Sequence, residues 1–135
     1  MRYWYQIFPE QHFIVAGYVG KTTVADIKAL AGHIWADPEY NQNFNGILDY
    51  TEATLDASPK AIDELCQYFL YSSEASLGRA ALLVTRPLET ALNSLFVRRM
   101  QQRNALQMFC TWEAACRFHG IELDRPDAQQ AVRFA

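Results

Sequence analysis

Hydrophobic and polar positions change their spacing several times along the chain, and these changes predict alternating strands and helices. Residues 3–8 and 12–19 are rich in aromatic and β-branched side chains, which is typical of strands. Residues 9–11 between them have turn composition, so the two strands are expected to pair as a hairpin. Further short apolar runs predict interior strands at residues 46–50, 79–85 and 105–110.

Helices are expected between and after these interior strands, because apolar side chains there recur three and four residues apart. Each predicted helix also has a start signal, which is a capping hydroxyl or a proline in the first turn. These signals are Thr23, Ser58 with Pro59, Pro87 and Thr111. The first helix is expected to end at residues 37–38, before a proline, and the last at Gly120.

The predicted fold is a single α/β domain in the order β-β-α-β-α-β-α-β-α. Strands separated by helices favour right-handed crossovers, and therefore a mostly parallel sheet with the antiparallel N-terminal hairpin at its edge. We expect this domain to cover residues 1–120. Residues 121–135 are more polar and predict a C-terminal tail, in which Val132 and Phe134 dock on the domain or on a second subunit.

Composition agrees with one ordinary folded domain. The chain has 135 residues, of which 50% are hydrophobic and 20% charged, and these values exclude intrinsic disorder. The formal net charge of -3 does not favour nucleic acid as a partner. No apolar run in the sequence approaches the roughly 20 residues that span a bilayer. Three cysteines without metal-ligand spacing, and an N-terminus without a signal-peptide pattern, predict a reduced, cytoplasmic protein.

Motifs for catalysis and cofactor binding are weak in this sequence. Residues 19–23 contain Gly-Lys-Thr but lack the earlier glycine of a phosphate-binding loop, so a turn followed by a helix cap is favoured. Cys116 and His119 are one helical turn apart, yet no third group is in place to orient them. The histidines fall on different elements, which does not favour a metal site. We therefore expect a protein that is not an enzyme and that uses no metal or cofactor.

Three carboxylates follow one another near the end of the third predicted strand. Asp49 lies where parallel sheets bind ligands, and Glu52 and Asp56 come next in a segment that the pattern predicts as a loop. Such a trio can bind a cation or act as acid and base. The favoured alternative is that Asp49 orders the loop by accepting backbone N–H groups, while Glu52 and Asp56 are solvated.

Aromatic side chains are concentrated in the predicted hairpin. Alternation along a strand places Trp4 and Phe8 on one side of the first strand and Tyr3 and Tyr5 on the other. Neither side is expected to be solvated, because both carry large apolar surfaces. We expect helices to cover one side, and the tail, a partner or a ligand to cover the other.

The segments 36–40 (Ala-Asp-Pro-Glu-Tyr), 47–50 (Ile-Leu-Asp-Tyr) and 52–58 (Glu-Ala-Thr-Leu-Asp-Ala-Ser) carry a resemblance to a known family. Together with the order of elements over about residues 3–120, they resemble the STAS fold. Within that fold the chain is similar to the SpoIIAA-like family of small bacterial proteins, which is related to Sec14-type lipid-binding domains. The resemblance implies a non-enzymatic regulatory or protein-interaction module that forms a homodimer or binds another regulatory protein.

The same resemblance implies a role for Ser58. In anti-sigma-factor antagonists, a serine at the start of the helix after this strand is phosphorylated, and the phosphate switches partner binding. Ser58 has the corresponding place here, but Asp56-Ala57 before it and Pro59 after it depart from the family's pattern. A helix cap is therefore favoured over a switch. Docking is expected around Ser58, Asp56 and Asp49.

The relationship to Sec14 implies an alternative function, which is to carry a lipid or another small apolar ligand between the sheet and the helices. Such a ligand is expected to contact aromatic residues that the predicted elements place near the core. These residues are Trp4, Phe8, Phe69 and Phe96.

Overall fold

A computed structural model describes residues 2–126 and 131–134 of the chain. The strands are β1 (Tyr3–Phe8), β2 (Phe13–Thr23), β3 (Asn45–Asp56), β4 (Ala80–Leu83), β5 (Leu106–Phe109) and β6 (Val132–Phe134). The helices are α1 (Val24–Ala36), α2 (Pro59–Leu70), α3 (Pro87–Met100) and α4 (Trp112–His119). The predicted α/β order is confirmed. Among the described residues, no helix is long and apolar enough to cross a membrane.

The described strands form one mixed sheet in the order β5-β4-β3-β2-β1-β6. β1 is antiparallel to both β2 and β6, whereas the pairs β2–β3, β3–β4 and β4–β5 are parallel. This arrangement confirms the mostly parallel sheet with an antiparallel N-terminal hairpin. In the centre of the sheet, Val15 lies beside Ile47 and Ile47 beside Ala81, and all three side chains are completely buried.

Helices cover both faces of the sheet, and they are unequally divided between them. The connections from β2 through β5 all advance in one direction, so right-handed crossovers place α1, α2 and α3 on the same face. The larger core lies under these helices and includes Leu30, Leu65 and Leu82. The smaller core lies under α4 and includes Phe13 and Ala115.

The predicted helix caps are confirmed where they use a hydroxyl group. Thr23 begins α1 in a capping box with Asp26, Ser58 caps α2, and Thr111 caps α4. Each hydroxyl accepts a hydrogen bond from a first-turn backbone N–H at 3.1–3.2 Å, which satisfies a donor that the helix leaves free. Gly120 ends α4 with a left-handed φ of 63°, as its position after the apolar stripe predicts.

Two central strands are longer than the sequence predicts. β2 was expected to end at residue 19 and β3 at residue 50, but they continue in register to Thr23 and Asp56. The predicted turn at 19–23 and the predicted loop after residue 50 are therefore wrong. Residues 52–56 alternate exposed and buried positions, which is the pattern of a half-buried strand. An irregularity at Gly17/Val19 shifts the register before this extension begins.

The C-terminal residues add a strand to the sheet. Tyr3 lies beside Phe134 and Tyr5 beside Val132, so β6 covers the outer edge of the N-terminal hairpin. The ring of Phe134 stacks on His33 of α1, with 4.0 Å between ring centroids. Within the tail expected at 121–135, residues 127–130 and 135 lie outside the described part of the chain.

Candidate functional site

An apolar cavity of about 150 Å³ lies between the sheet and helices α1, α2 and α3. Ile14, Tyr18 and Tyr50 line it from the sheet, and Leu30 lines it from α1. The rings of Tyr18 and Tyr50 stack with 5.0 Å between centroids, and both side chains are buried. Burial raises the pKa of both phenols well above the usual value, so both stay neutral at physiological pH.

The aromatic residues expected at a ligand site are divided between the two faces of the sheet. Phe69 and Phe96 line the cavity and contact each other edge to face, with 5.8 Å between centroids. Trp4 and Phe8 pack instead against the smaller core on the α4 face. The indole of Trp4 lies directly on Gly17, which leaves no room for a Cβ atom there. The four aromatic residues therefore do not form one site.

Side chains from neighbouring elements fix the segment between α2 and β4, from which Ala75 and Ser76 line the cavity. Arg103 donates to the carbonyl oxygens of Ser72, Ala75 and Ser76 at 2.7–3.2 Å. The hydroxyl of Tyr40 donates to the carbonyl oxygen of Glu74 at 2.6 Å. Burial raises the pKa of Tyr40 to about 12, so this hydroxyl keeps its proton at physiological pH.

A second feature is a two-stranded ribbon that extends beyond the rest of the sheet. We call residues 19–23 of β2 and 52–56 of β3 the projecting ribbon, because β1 pairs with β2 only as far as Tyr18 and β4 pairs with β3 only as far as Asp49. One face of the ribbon is buried and includes Thr22, Ala53 and Leu55. The opposite face is exposed and carries Lys21, Glu52, Thr54 and Asp56.

Two buried carboxylates secure the ribbon at its edges. Glu89, in the first turn of α3, accepts a hydrogen bond from the backbone N–H of Leu55 at 2.9 Å. Asp26 accepts a hydrogen bond from the backbone N–H of Thr23 at 2.9 Å and pairs with Arg2. Asp26 stands three residues after the Thr23 cap, which is the spacing of a capping box. No sequence signal distinguishes Glu89 from an ordinary acidic residue in a first helical turn.

The three expected docking residues do not lie together. Asp49 is buried, where it accepts hydrogen bonds from the backbone N–H and the hydroxyl of Thr51 and pairs with Arg125 at 3.6 Å. Asp56 is exposed at the end of the ribbon, roughly 20 Å further along the strand from Asp49. Ser58 follows it, also exposed. Asp56 and Ser58 therefore share one surface, and Asp49 orders the chain elsewhere.

The carboxylate trio does not act as one cluster, because Glu52 and Asp56 belong to an extended strand and Asp49 is engaged by Thr51 and Arg125. Across the described residues, no group of three or more histidine, cysteine, aspartate or glutamate side chains could hold a metal ion. The Gly-Lys-Thr segment is paired strand, with Lys21 beside Thr54. Its backbone therefore does not form a phosphate-binding loop.

Cys66, Cys116 and His119 occupy structural positions. Burial raises the pKa of the Cys66 thiol to about 11 and also raises that of Cys116, which makes both poor nucleophiles. The Nε2 atom of His119 lies 2.8 Å from the carbonyl oxygen of Gly46 and the ring packs edge-on to Phe13. Since a carbonyl only accepts, Nε2 carries the proton and donates it there.

Comparison of the chain with protein-family models and with curated proteins finds no match.

Proposed function

We propose that this protein is a non-enzymatic, STAS-like regulatory module that docks a partner protein on the exposed face of the projecting ribbon. The observation that carries the proposal is the extension of β2 and β3 past both neighbouring strands, from the pair Val19–Glu52 to the pair Thr23–Asp56. The ribbon lies at the carboxyl ends of the parallel strands, which is the edge where open α/β sheets bind their ligands.

The side chains of this face are suited to binding the surface of another protein. Lys21 and Asp56 form an exposed ion pair at 3.3 Å, and Arg86 donates to the hydroxyl of Thr54 at 3.2 Å. The exposed face therefore presents a positive charge, a negative charge and a hydroxyl group next to one another. A partner with an equally mixed polar surface can pair with them and exclude mismatched partners. A chain with a formal net charge of -3 offers no comparable attraction to nucleic acid.

Rigidity of the ribbon supports the same proposal. The hydrogen bonds that Leu55 and Thr23 donate to Glu89 and Asp26 fix the backbone before any partner arrives. A surface that is already ordered loses little conformational entropy on binding. Docking is therefore less costly here than on a loop.

Ser58 lies beside Asp56 and is exposed, so it is accessible for regulation of the docking surface. Its hydroxyl accepts a hydrogen bond from the backbone N–H of Ala61 at 3.1 Å, and Pro59 occupies the first helical position. A phosphate on Ser58 adds charge at the positive end of the α2 dipole and next to the ribbon. We include this modification as the regulatory part of the proposal.

The test compares charge reversals on the projecting ribbon with a charge reversal outside it. Glu52→Lys and Asp56→Lys alter the ribbon, and the matched control Glu39→Lys makes the same charge change after the C-terminus of α1. Binding is measured by calorimetry with the purified partner. Binding to wild-type protein and to Glu39→Lys, together with loss of binding to both ribbon variants, supports the proposal. Equal affinity for all four proteins contradicts it. A second copy of the chain as partner is one outcome, and native mass measurement identifies it.

Transport of a lipid is a weaker candidate. The cavity of about 150 Å³ is smaller than the roughly 300–1,000 Å³ of usual ligand sites, so it does not enclose an acyl chain and headgroup.

A further inference from the structure

The cavity between the sheet and helices α1, α2 and α3 has room for a single aromatic ring. Its volume is about 150 Å³, and an engineered cavity of about that size with aliphatic and aromatic walls stays dry and binds benzene. The walls here are of the same kind, with Ile14 and Leu48 from the sheet, Leu30 from α1 and Phe96 from α3.

Leu48 borders a space that the surrounding side chains leave unfilled. Its neighbours on the adjacent strands are Ala16 and Leu82, and both are completely buried. Leu48 itself is only half-buried, although it lies in a central strand and packs against the larger core. Protein interiors are close-packed and contain few voids larger than a water molecule. The cavity therefore departs from the packing of the core around it.

The walls of the cavity are held in place from several sides. The rings of Phe69 and Phe96 contact each other edge to face, and Arg103 fixes the segment that carries Ala75. Ala31 and Ala75 line the cavity with single methyl groups, which leave its interior open. A molecule that enters such a preformed space causes little reorganisation of the protein, so little binding free energy is lost.

The chemistry of the lining limits the class of ligand. Among the described residues, no charged side chain lines the cavity. Two of its polar side chains are already engaged, because Tyr40 donates to the carbonyl oxygen of Glu74 and Oδ1 of Asn45 accepts from the backbone N–H of Arg79. A charged or strongly polar molecule would lose hydration that apolar walls do not replace. The lining therefore favours a molecule without polar groups.

We infer that the cavity binds one small, wholly apolar molecule of the size of a benzene ring, of the aromatic hydrocarbon class. The molecule lies against Ile14, Leu30 and Leu48, and burial of its apolar surface supplies the affinity. This site is separate from the projecting ribbon, so its test does not depend on the docking proposal.

Two probes of similar shape test the class of ligand on the full chain by calorimetry. Toluene is wholly apolar, and p-cresol adds one hydroxyl group to it. We expect one toluene molecule to bind per chain and p-cresol to bind about tenfold more weakly, because its hydroxyl group loses hydration in the cavity. Absence of toluene binding overturns the site. Binding of p-cresol as tight as that of toluene overturns the assignment to wholly apolar molecules.

Methyl NMR spectra of the wild-type protein locate the bound toluene. The aromatic ring should shift the methyl resonances of Ile14, Leu30 and Leu48, which line the cavity. The methyl resonances of Val15 should change little, because Val15 belongs to the smaller core on the opposite face of the sheet. Shifts at Val15 without shifts at the three lining residues would overturn the location.

Two matched variants of α1 connect binding to the cavity. Ala31→Leu fills the cavity and should weaken toluene binding about tenfold or more. Ala29→Leu makes the same change at an exposed position of the same helix and should leave toluene binding unchanged. Equal toluene affinity of both variants and wild type overturns the site. Circular dichroism shows that each variant is folded, and if Ala31→Leu does not fold, the methyl shifts of wild-type protein decide the question.

Discussion

The carboxylate of Glu89 accepts a hydrogen bond from the backbone N–H of Leu55 at 2.9 Å, and it does so at the edge where β4 has already ended. Glu89 is buried, and the Nε atom of Arg86 lies 3.3 Å from its other oxygen. A side chain of α3 thus supplies a hydrogen bond that a neighbouring strand supplies elsewhere in the sheet. The ribbon keeps its shape beyond the sheet because of this contact.

Replacement of Glu89 should destabilise the protein strongly. Glu89→Leu keeps much of the volume but leaves the N–H of Leu55 without an acceptor, so we expect a loss of about 2 kcal/mol in the free energy of unfolding. Glu89→Gln retains an amide oxygen that can accept and should lose less than half as much. Urea denaturation measures both values. Two variants as stable as wild type would show that the contact contributes nothing.

Close packing of Trp4 on Gly17 predicts a specific sensitivity to a methyl group. A Cβ atom at Gly17 would lie 2.5 Å from the indole, so Gly17→Ala must displace Trp4 and should cost about 1–3 kcal/mol. The matched control is Gly32→Ala, because Gly32 lies in α1 with nothing near its Cβ position. That change should stabilise the helix by about 0.5–1 kcal/mol. Opposite signs in thermal unfolding support the packing, and equal signs are inconsistent with it.

Stability should fall as the pH drops through the titration range of His119. Burial lowers its pKa from the usual 6.5, while the Nδ1 atom is buried and has no partner among the described residues. The unfolded chain therefore binds the proton more readily than the folded chain. This contribution to stability is complete above pH 6.5 and is lost as the pH falls through the lower folded pKa.

The variant His119→Gln isolates this effect, since its amide can still donate to the carbonyl of Gly46. Urea denaturation at pH 7 and pH 5 should give a smaller difference in stability for the variant than for wild type. The same difference in both proteins would assign the pH dependence to other groups.

The role of Ser58 as a helix cap can be separated from its proposed regulatory role. Ser58→Ala removes the acceptor for the N–H of Ala61 and should cost about 1 kcal/mol, whereas Ser58→Asp keeps an acceptor and should be nearly neutral. Thermal unfolding measures both. If Ser58→Asp then alters partner affinity at unchanged stability, the position regulates docking. If Ser58→Ala and Ser58→Asp both bind the partner like wild type, Ser58 acts only as a cap.

Periodic patterns predicted most of the fold because they report local burial. The stripe of α2 and the cap at Ser58 follow from spacing and residue type, which are local properties. The ribbon was missed because Glu52, Thr54 and Asp56 make the segment look like a polar loop. Their alternation with Ala53 and Leu55 was the available signal, and it indicates a strand with one buried face.

The candidate sites depend on contacts between distant residues, which spacing does not reveal. Trp4 and Phe8 were correctly placed on one side of β1, yet nothing local shows that Phe69 and Phe96 lie across the sheet from them. The hydrogen bond from the backbone N–H of Leu55 to Glu89 likewise joins residues that are far apart in the sequence. Only the packed chain brings such atoms together.

Amide hydrogen exchange of the complex tests whether a partner docks on the projecting ribbon. Once a partner has been purified, exchange is compared residue by residue for the free and the bound protein. We predict slower exchange on binding at residues 19–23 and 52–56 and at the start of α2, with little change in α4. Slower exchange confined to α4 or to the outer sheet edges, with the projecting ribbon unchanged, would contradict it.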